Sequence, residues 1–330
     1  MKKLHIVLLV VLILAFAAVL TTGIILDNRE KSNQRKYYSA EIGGKKYKQK
    51  TLTTFLLLGL DKEGYIKKVD SYVNDQQCDF VALLSFDYQK REYSVLQFNR
   101  DSMVEIQKLG LGGVKLNEKV VAQIALAHTW GTGLNDSCDN SASCVSNLLY
   151  GLDIDYYVSF TMDAVKEVTD FITNETGVPV TFDKDYTDID PRYVEGETLN
   201  LNGEEAFNFI RERIGVEDNT NISRMHRQKL FMNSFLDYVN ERDEKDDDID
   251  YLELYNTVHK SSYEESLIYT NCPANVMASL FNDIETFTEK TITTPKGTVN
   301  YDNKYVEFYI DQDDLDRIAI DLYYNPVNDD

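Results

Sequence analysis

Short apolar runs that end in polar residues predict a sheet near the start of the folded chain. They read TFLLLGLD at 54–61, FVALLSFD at 80–87 and EYSVLQFN at 92–99. Runs of this length, rich in β-branched and aromatic residues and bounded by turn residues, are typical of buried strands. Only the four residues YQKR join the second run to the third. Because a parallel crossover needs about a dozen residues or more, these two strands are predicted to form an antiparallel hairpin.

Helical and strand patterns alternate over the rest of the chain. Helices are predicted at about 116–128, 142–150, 161–174, 202–213, 222–240 and 274–285. Further strands are predicted at 178–182 and 304–310, followed by a terminal helix over 311–324 that Asp311 caps. Strands mixed with helices in this way favour an α/β fold, and we predict a three-layer α/β/α sandwich with a mixed central sheet.

The N-terminus carries 21 largely apolar residues without a charge, from Ile6 to Leu26. This length is sufficient to span a bilayer, so we predict one transmembrane helix before the folded part. A cleaved signal peptide with AFA as its small-residue site is the alternative, although the apolar run continues beyond that site. Basic residues flank the run on both sides, so the positive-inside count leaves the orientation open.

These patterns divide the chain into four parts. Residues 1–26 form a short tail and the membrane anchor, and residues 27–50, which are polar and rich in lysine, form a juxtamembrane linker. The main domain covers 51–240. Residues 241–330 begin with the acidic run ERDEKDDDID, a solvated boundary, and continue as an α/β extension that we expect to pack on the same domain.

The formal net charge of −21 limits the partners of this protein. A surface that binds nucleic acid needs a basic patch to replace the counterions of phosphate, so we predict no nucleic-acid partner. A local arginine cluster in so acidic a chain instead indicates a dedicated anion site.

The cysteines and histidines show no metal-binding pattern. The four residues of each type are scattered along the chain without ligand spacing. Cys138 and Cys144 are close enough in sequence for a loop disulfide, and isolated thiols are the equal alternative. Both fall in GTGLNDSCDNSASC, which is interpreted as a polar loop.

The predicted hairpin brings charged residues together at one edge of the sheet. Asp79 precedes the second strand, and Arg100 and Asp101 follow the third, so the three lie at the same edge. Asp61 joins them if the first strand runs antiparallel to the second. Facing carboxylates repel one another unless a divalent cation or an arginine compensates. Asp and Asn are common turn residues at strand ends, so only the coincidence of all four carries this prediction.

A second cluster lies in NFIRERIGVEDNTNISRMHRQ, residues 208–228. Arg211 and Arg213 are two positions apart, so both reach one ligand only if their helix ends there, and Gly215 is placed to end it. Asn221 is predicted to cap the next helix, in which Arg224 and Gln228 share a face with Arg227 nearby.

Arginine forks and helix N-termini both bind phosphate, so this second cluster predicts an anion clamp. The alternative is an exposed helix whose arginines form ion pairs with Glu212, Glu217 and Asp218.

Together these segments resemble the LytR-CpsA-Psr family of bacterial cell-wall enzymes. The matching stretches, in family order, are LLLGLD (56–61), QCDFVALLSFD (77–87), FNRDSMVEI (98–106), VKLN (114–117), LNGEEAFNFIRER (201–213) and SRMHRQ (223–228). Each stretch is weak alone, but their order and spacing agree over about 180 residues.

The resemblance implies a single-pass protein of the cell membrane of a Gram-positive bacterium, with its C-terminal domain outside the cytoplasm. It implies transfer of a phosphoglycosyl polymer, of the teichoic acid or capsule kind, from a polyprenyl pyrophosphate carrier to a peptidoglycan hydroxyl. Such a transfer relies on positioning and charge neutralisation, which a metal and arginines supply.

Carried over by position, the resemblance assigns Asp61 and Asp79 to Mg²⁺ (or Mn²⁺). It assigns the pyrophosphate oxygens to Arg100, Arg211, Arg213, Arg224, Arg227 and Gln228. The residues implied in catalysis are Arg100, Asp101, Arg213 and Arg224, with Asp101 as the base or as a positioning group.

This sequence departs from the family pattern at two notable positions. Asn99 stands in place of the proline before Arg100, which we expect to alter a turn more than the chemistry. Asn221 stands in place of an aspartate, and Asp218 lies three residues earlier. If that aspartate is a required base, the transfer is impaired. This departure suggests a catalytically silent lipid-carrier binding or scaffold protein as one alternative function. A polyprenyl pyrophosphate hydrolase, which uses water instead of a sugar hydroxyl at the same clamp, is the other.

Overall fold

The structure is a computed structural model that describes residues 39–110, 113–213, 215–243, 251–260, 262–273, 275–277, 279–280, 286–302 and 305–327. The predicted membrane span at 6–26 lies outside these residues. Within them, no helix has the length and apolar character that crossing a bilayer requires.

Fifteen strands occur among the described residues. In chain order they are β1 Ser39–Ile42, β2 Lys45–Gln49, β3 Thr53–Leu60, β4 Cys78–Asp87, β5 Glu92–Phe98, β6 Met103–Leu109, β7 Lys115–Gln123, β8 Tyr156–Phe160, β9 Val178–Thr181, β10 Thr198–Leu201, β11 Ile268–Thr270, β12 Thr288–Thr293, β13 Gly297–Asp302, β14 Tyr305–Ile310 and β15 Tyr324–Pro326.

The helices that bear on the fold are six α-helices and two short 3₁₀ turns. The α-helices are α1 Asn135–Leu148, α2 Met162–Thr173, α3 Gly203–Arg211, α4 Asn221–Asp243, α5 Tyr251–Val258 and α6 Gln312–Tyr323. The 3₁₀ turns are Ile124–Thr129 and Tyr263–Glu265. As predicted, Asp311 caps α6 by accepting a hydrogen bond from the amide of Asp314.

The central sheet has six strands in the order β11-β8-β3-β4-β5-β12. The strand β4 runs antiparallel to both β3 and β5. In contrast, β8 is parallel to β3 and β12 is parallel to β5. The predicted mixed α/β fold with a mixed central sheet is therefore confirmed.

Helices cover both faces of this sheet because apolar side chains on its inner strands alternate between two cores. On β3, Phe55 and Leu57 face a core that contains residues of α2, α3, α4 and α5. Leu56, Leu58 and Leu60 face the opposite core, which contains residues of α1 and α6. Burying each of these side chains contributes about 1.5–3 kcal/mol to the free energy of unfolding.

The strand register confirms the predicted convergence at one edge of the sheet. Leu60 at the end of β3 pairs with Cys78 at the start of β4. Val81 of β4 pairs with Phe98 at the end of β5. Asp61, Arg100 and Asp101 follow just beyond these pairs, and Asp79 lies on β4 between them. These four residues therefore lie close together.

The helix predicted at 116–128 is wrong. Residues 115–123 form β7, which pairs antiparallel with β6, and only the following Ile124–Thr129 is helical, as a 3₁₀ turn. Adjacent Val120 and Val121 favour a strand, and the neighbouring strand β6 supplies the hydrogen-bond partners that a lone segment lacks. The stretch with Cys138 and Cys144 is likewise largely helix α1 instead of a loop.

Regular structure begins before Thr51, the predicted start of the folded part. The segment predicted as a linker contains β1 and β2, which form a sheet with the C-terminal strand β15. The fold therefore begins no later than Ser39, instead of near Thr51. Both edge strands of the central sheet, β11 and β12, come from beyond residue 240. The predicted helix at 274–285 lies partly outside the described residues.

Candidate functional site

The centre of the site is Asp79, whose side chain is 5% exposed and binds two arginines. Arg100 donates from Nη1 to Oδ1, and Arg224 donates from Nη1 to Oδ2. Gln77 accepts a hydrogen bond of 2.7 Å from Nη2 of Arg100. The Nε atoms of both arginines are buried and form no hydrogen bond within the described residues. The arginines thus retain donors that suit an anionic ligand.

Asp101 lies beside this centre and is 1% exposed. Its carboxylate is 3.6 Å from Nε of Arg100 and 3.4 Å from Nη1 of Arg213, and it accepts a 2.9 Å hydrogen bond from Gln123 Nε2. Burial raises the pKa of the Asp101 carboxyl, and the neighbouring arginines oppose this shift. A carboxylate with a raised pKa is better suited to accept a proton from a hydroxyl.

Arg211 and Arg213 diverge because α3 ends at Arg211. Arg211 reaches Asp61 at 3.4 Å and Glu63 at 3.3 Å, whereas Arg213 lies beyond the helix and contacts Asp101. The helix thus ends between them, as the clamp requires, but ahead of Gly215. Both arginines are partly exposed and line cavities described below.

Arg227 is not a phosphate ligand in this arrangement, which corrects the assignment implied by the resemblance. Its side chain is 1% exposed and donates to the backbone oxygens of Phe209 and Glu212, and it forms a 3.0 Å ion pair with Glu217. It therefore fixes the C-terminal turn of α3 against α4. Gln228, one position further, does line the apolar pocket described below and contacts Gln97 at 3.2 Å.

The two departures from the family pattern contact each other. Asn221 Nδ2 donates a 2.8 Å hydrogen bond to Asn99 Oδ1, which also accepts from the amide of Asp101 at 3.0 Å. Asn221 Oδ1 accepts a 2.6 Å bond from Arg224. A proline at 99 has no side-chain acceptor and an aspartate at 221 has no donor, so the two asparagines form a matched pair.

Asn221 is not the cap of α4, because it is the first helical residue and its side chain points to Asn99 and Arg224. Thr220 takes that role, with Oγ1 accepting from the amide of Ser223 at 3.2 Å. Asp218 accepts hydrogen bonds from the backbone amide and the hydroxyl of Thr220. Asp218 thus stabilises the turn before α4 and does not replace the missing aspartate.

An apolar pocket adjoins the arginine cluster on the α2, α3 and α4 face of the sheet. Its walls include Phe80, Phe160, Met162, Phe231 and Phe235, and its polar lining residues are Asp79, Arg211, Arg224 and Gln228. Gly59 also lines it, and a Cβ atom there would lie 2.9 Å from Phe80 Cβ. An apolar cavity lined by one buried and one partly exposed arginine is suited to a ligand with an anionic head and a hydrocarbon chain.

A second cavity, which we call the hairpin cleft, shares no lining residue with the apolar pocket. It is larger, about 840 Å³, and lies between the β6–β7 ribbon and the β13–β14 hairpin. Arg100, Asp101 and Arg213 line it together with Tyr301 and Tyr305. Because Arg100 pairs with Asp79, one ion pair connects the two cavities.

The acidic residues of the site have oxygen donors that fit a hard divalent cation. Asp61 directly follows β3, and Asp79 is the second residue of the neighbouring β4. The amide of Asp61 donates to Gln77 O at 2.8 Å. Mg²⁺ commonly takes one or two carboxylates together with phosphate oxygens and water. The described residues contain no cluster of three metal-ligating side chains. The four cysteines are buried and none of them forms a disulfide in the described part of the chain, which removes the alternative of a Cys138–Cys144 bridge.

Sequence reasoning missed several residues of this site. Gln77 contacts Arg100 from the loop before β4. Gln123 contacts Asp101 from β7, a strand that the sequence pattern assigned to a helix. The apolar pocket was missed altogether, since its lining comes from β3, β4, β8 and three helices far apart in the chain. The glycine in LLLGLD was the one local signal, as a residue without a side chain inside a buried strand.

The fold and the site define an α/β protein with a cluster of arginines beside an apolar cavity. The LytR_cpsA_psr family model matches residues 19–322. This chain belongs to the LytR-CpsA-Psr family, whose members are transferases that attach glycopolymers to the cell wall. No protein of a curated set of characterised proteins matches the sequence.

Solved structures with the same fold include TagT bound to LI-WTA, which is 19% identical at a TM-score of 0.58 over 82% of this chain and 89% of that chain. The crystal structure of B. subtilis TagV is 19% identical at a TM-score of 0.57 over 82% of this chain and 95% of that one. The crystal structure of B. subtilis TagT is 20% identical at 0.55, with 82% and 89% covered. At this identity the likeness shows the fold.

Proposed function

We propose that this protein transfers a phosphoglycosyl polymer from a polyprenyl pyrophosphate carrier to a hydroxyl of peptidoglycan. The observation that carries the proposal is the position of Arg211 and Arg224 at the polar end of an apolar pocket. A polyprenyl pyrophosphate has the same division into an anionic head and a hydrocarbon chain. The solved structure of TagT bound to LI-WTA, a protein of the same fold, supports the choice of a lipid-linked glycopolymer.

The arginines bind the pyrophosphate oxygens in this proposal. In the structure, Arg100 and Arg224 pair with Asp79, and Arg211 pairs with Asp61. Phosphate oxygens offer these guanidinium groups stronger bidentate partners, and their arrival releases the two carboxylates. Asp61 and Asp79 would then hold Mg²⁺ or Mn²⁺, which when bound neutralises charge on the pyrophosphate and the leaving phosphate.

Asp101 acts as the base in this proposal. It is held by Gln123 and by two arginines, it lines the hairpin cleft, and burial raises its pKa. Two carboxylates, Asp79 and Asp101, lie next to Arg100, and Asp101 is the one that the proposal does not assign to the metal. The proposed setting is the outer face of the cell membrane, with the chain anchored by its N-terminal apolar run.

The test uses the full chain in detergent micelles with a lipid-linked glycopolymer analogue, Mg²⁺ and soluble peptidoglycan fragments. Glycopolymer joined to peptidoglycan supports the transferase. Release of free phosphorylated glycan instead identifies a hydrolase, and binding without turnover identifies a lipid-carrier binding protein. Arg100→Ala is expected to abolish turnover with the fold intact. Arg317→Ala, a 67% exposed arginine paired with Asp314 outside the site, is the matched control.

A second variant tests the hydrocarbon part of the donor. Val165 lines the apolar pocket from α2, so Val165→Phe narrows it. We expect this change to weaken binding of the polyprenyl pyrophosphate at least about tenfold, in line with the loss of several buried methylene contacts. The affinity for inorganic pyrophosphate, measured by calorimetry, is expected to stay unchanged. An equal loss for both ligands would contradict the assignment of this pocket to the lipid.

A further inference from the structure

We infer that the hairpin cleft is the binding site of the acceptor glycan, with Tyr301 and Tyr305 as the rings on which its sugars stack. This inference rests on the proposed function and deepens it. The proposed donor site accounts for the apolar pocket and the arginines. It leaves unexplained a larger cavity, walled partly by residues from the C-terminal part of the chain, that reaches the same arginine cluster.

The direction of the reaction places the acceptor in this cleft. In an in-line displacement at phosphorus, the attacking oxygen arrives opposite the leaving oxygen. The leaving group is the polyprenyl phosphate, whose chain lies in the apolar pocket. The acceptor hydroxyl must therefore come from the other side of the arginine cluster, where Arg100, Asp101 and Arg213 line the hairpin cleft.

The chemical step balances with the groups present. The acceptor oxygen forms a bond to the sugar-bearing phosphorus, and its proton passes to the carboxylate of Asp101. The bond between that phosphorus and the bridging oxygen breaks, and the electron pair leaves with the polyprenyl phosphate. Arg100 and Arg213, which both contact Asp101, also lie where charge accumulates on the phosphoryl oxygens.

The β13–β14 hairpin is fixed to the base, so its tyrosines have a defined place. The amide of Phe308 donates to Asp101 O at 2.9 Å. Gln123 Nε2 donates both to Asp101 Oδ1 at 2.9 Å and to Val306 O at 2.7 Å. A wall of the cleft is thus bonded directly to the residue that accepts the proton, which is the preorganisation that a second substrate requires.

The lining of the cleft favours a sugar chain over a polyanion. Tyr301 and Tyr305 are each 66% exposed, although large aromatic rings normally bury most of their surface. Flat exposed rings present a face to the CH groups of a sugar ring. Glu307 is a further residue of the cleft, and the chain as a whole carries a charge of −21. Arg100 and Arg213 are the cations in the lining of the cleft, and the proposed function assigns them to the pyrophosphate. The described residues of the lining offer no further cation to a polymer with a phosphate in each repeat, so we assign the cleft to the amino-sugar backbone of peptidoglycan.

Direct binding tests this inference separately from turnover. Calorimetry with the full chain in micelles measures the Kd of a soluble peptidoglycan oligosaccharide and of the lipid-linked donor analogue. The double variant Tyr301→Ala/Tyr305→Ala is expected to weaken oligosaccharide binding at least about tenfold, the effect of removing two stacked rings, with the donor Kd unchanged. The double variant Tyr301→Phe/Tyr305→Phe keeps the rings and is expected to retain binding. The control Tyr65→Ala alters an exposed tyrosine that lines neither the cleft nor the apolar pocket.

The outcomes separate the two proposals. Loss of oligosaccharide binding in the alanine variant alone, together with an increase in the acceptor KM, supports the inference. A wild-type chain that binds the donor but not the oligosaccharide, or an alanine variant that binds both as wild type does, overturns the inference and leaves the donor site standing. A wild-type chain that does not bind the donor overturns the proposed function and this inference with it.

Discussion

The residues of the site owe their properties to neighbours that are distant in sequence. Asp101 is an ordinary strand-end aspartate by its local sequence, yet burial raises its pKa while Arg100, Arg213 and Arg224 lower it. Arg224 is 3% exposed and tolerates burial because Asp79 neutralises it. The chemistry of each side chain is therefore a property of the assembled site.

The pH dependence of transfer follows from the raised pKa of Asp101. A carboxylate accepts a proton only when it is ionised, so the rate falls as the pH drops through this pKa. Because burial raises the pKa of Asp101, the midpoint of the acid limb in the pH–rate profile is expected at a pH above the ordinary pKa of aspartate. Asp101→Asn is expected to lower kcat about 10²–10⁴-fold and to remove this limb, with donor binding retained. A variant that keeps the wild-type limb would exclude Asp101 as the base.

A double-mutant cycle tests the contact between Asn99 and Asn221. Both side chains are buried, and their hydrogen bond measures 2.8 Å, so we expect a coupling free energy of about 1 kcal/mol between Asn99→Ala and Asn221→Ala in urea denaturation. Thr181 and Thr198 form an exposed cross-strand hydrogen bond of the same length, for which we expect coupling near zero. Additive effects at the asparagine pair would mean that the two departures are independent.

At the scale of elements, the site depends on where helices and strands end. The helix α3 ends at Arg211, which sends Arg211 and Arg213 to different carboxylates. The following α4 returns Arg224 and Gln228 to the sheet edge. Arg227 joins these two helices by donating to the final carbonyls around the end of α3.

This structural role makes a different prediction for Arg227 than for Arg211. Arg227→Met removes a buried cation and leaves Glu217 without that partner, so we expect the free energy of unfolding to fall by about 3–5 kcal/mol. Arg211→Met changes a 37% exposed side chain, so its stability is expected within about 0.5 kcal/mol of wild type, with weaker pyrophosphate binding. Urea denaturation and calorimetry measure both quantities. A stable Arg227→Met variant that binds pyrophosphate poorly would restore Arg227 to the anion site.

At the scale of the whole molecule, the two ends of the described chain complete the fold. The strand β15 pairs with β2, and the Tyr324 hydroxyl donates to Leu149 O at 2.6 Å. The edge strands β11 and β12 flank the central sheet, and α6 covers the core opposite α2. The predicted domain boundary at residue 240 thus separates β11 and β12 from the other strands of the same sheet.

A truncation measures this interdependence. A chain that ends at residue 240 lacks both edge strands and α6, and therefore exposes the apolar side chains that pack against them. We expect it to show no cooperative thermal transition by circular dichroism, whereas the full chain unfolds in a single one. A truncated chain with its own cooperative transition would show that residues 51–240 form an independent domain.

The sequence by itself determined the strands β3, β4 and β5, their antiparallel hairpin and the meeting of Asp79, Arg100 and Asp101, because strand alternation and a short connection are local constraints. Only the tertiary structure decided what lies beyond local reach. It brought α4 to Asp79, paired Asn99 with Asn221, gave Arg227 backbone partners at the end of α3 and placed two tyrosines of the C-terminal hairpin in the cleft that Asp101 also lines. Such contacts join residues up to about two hundred positions apart, and their partners are chosen by packing and burial.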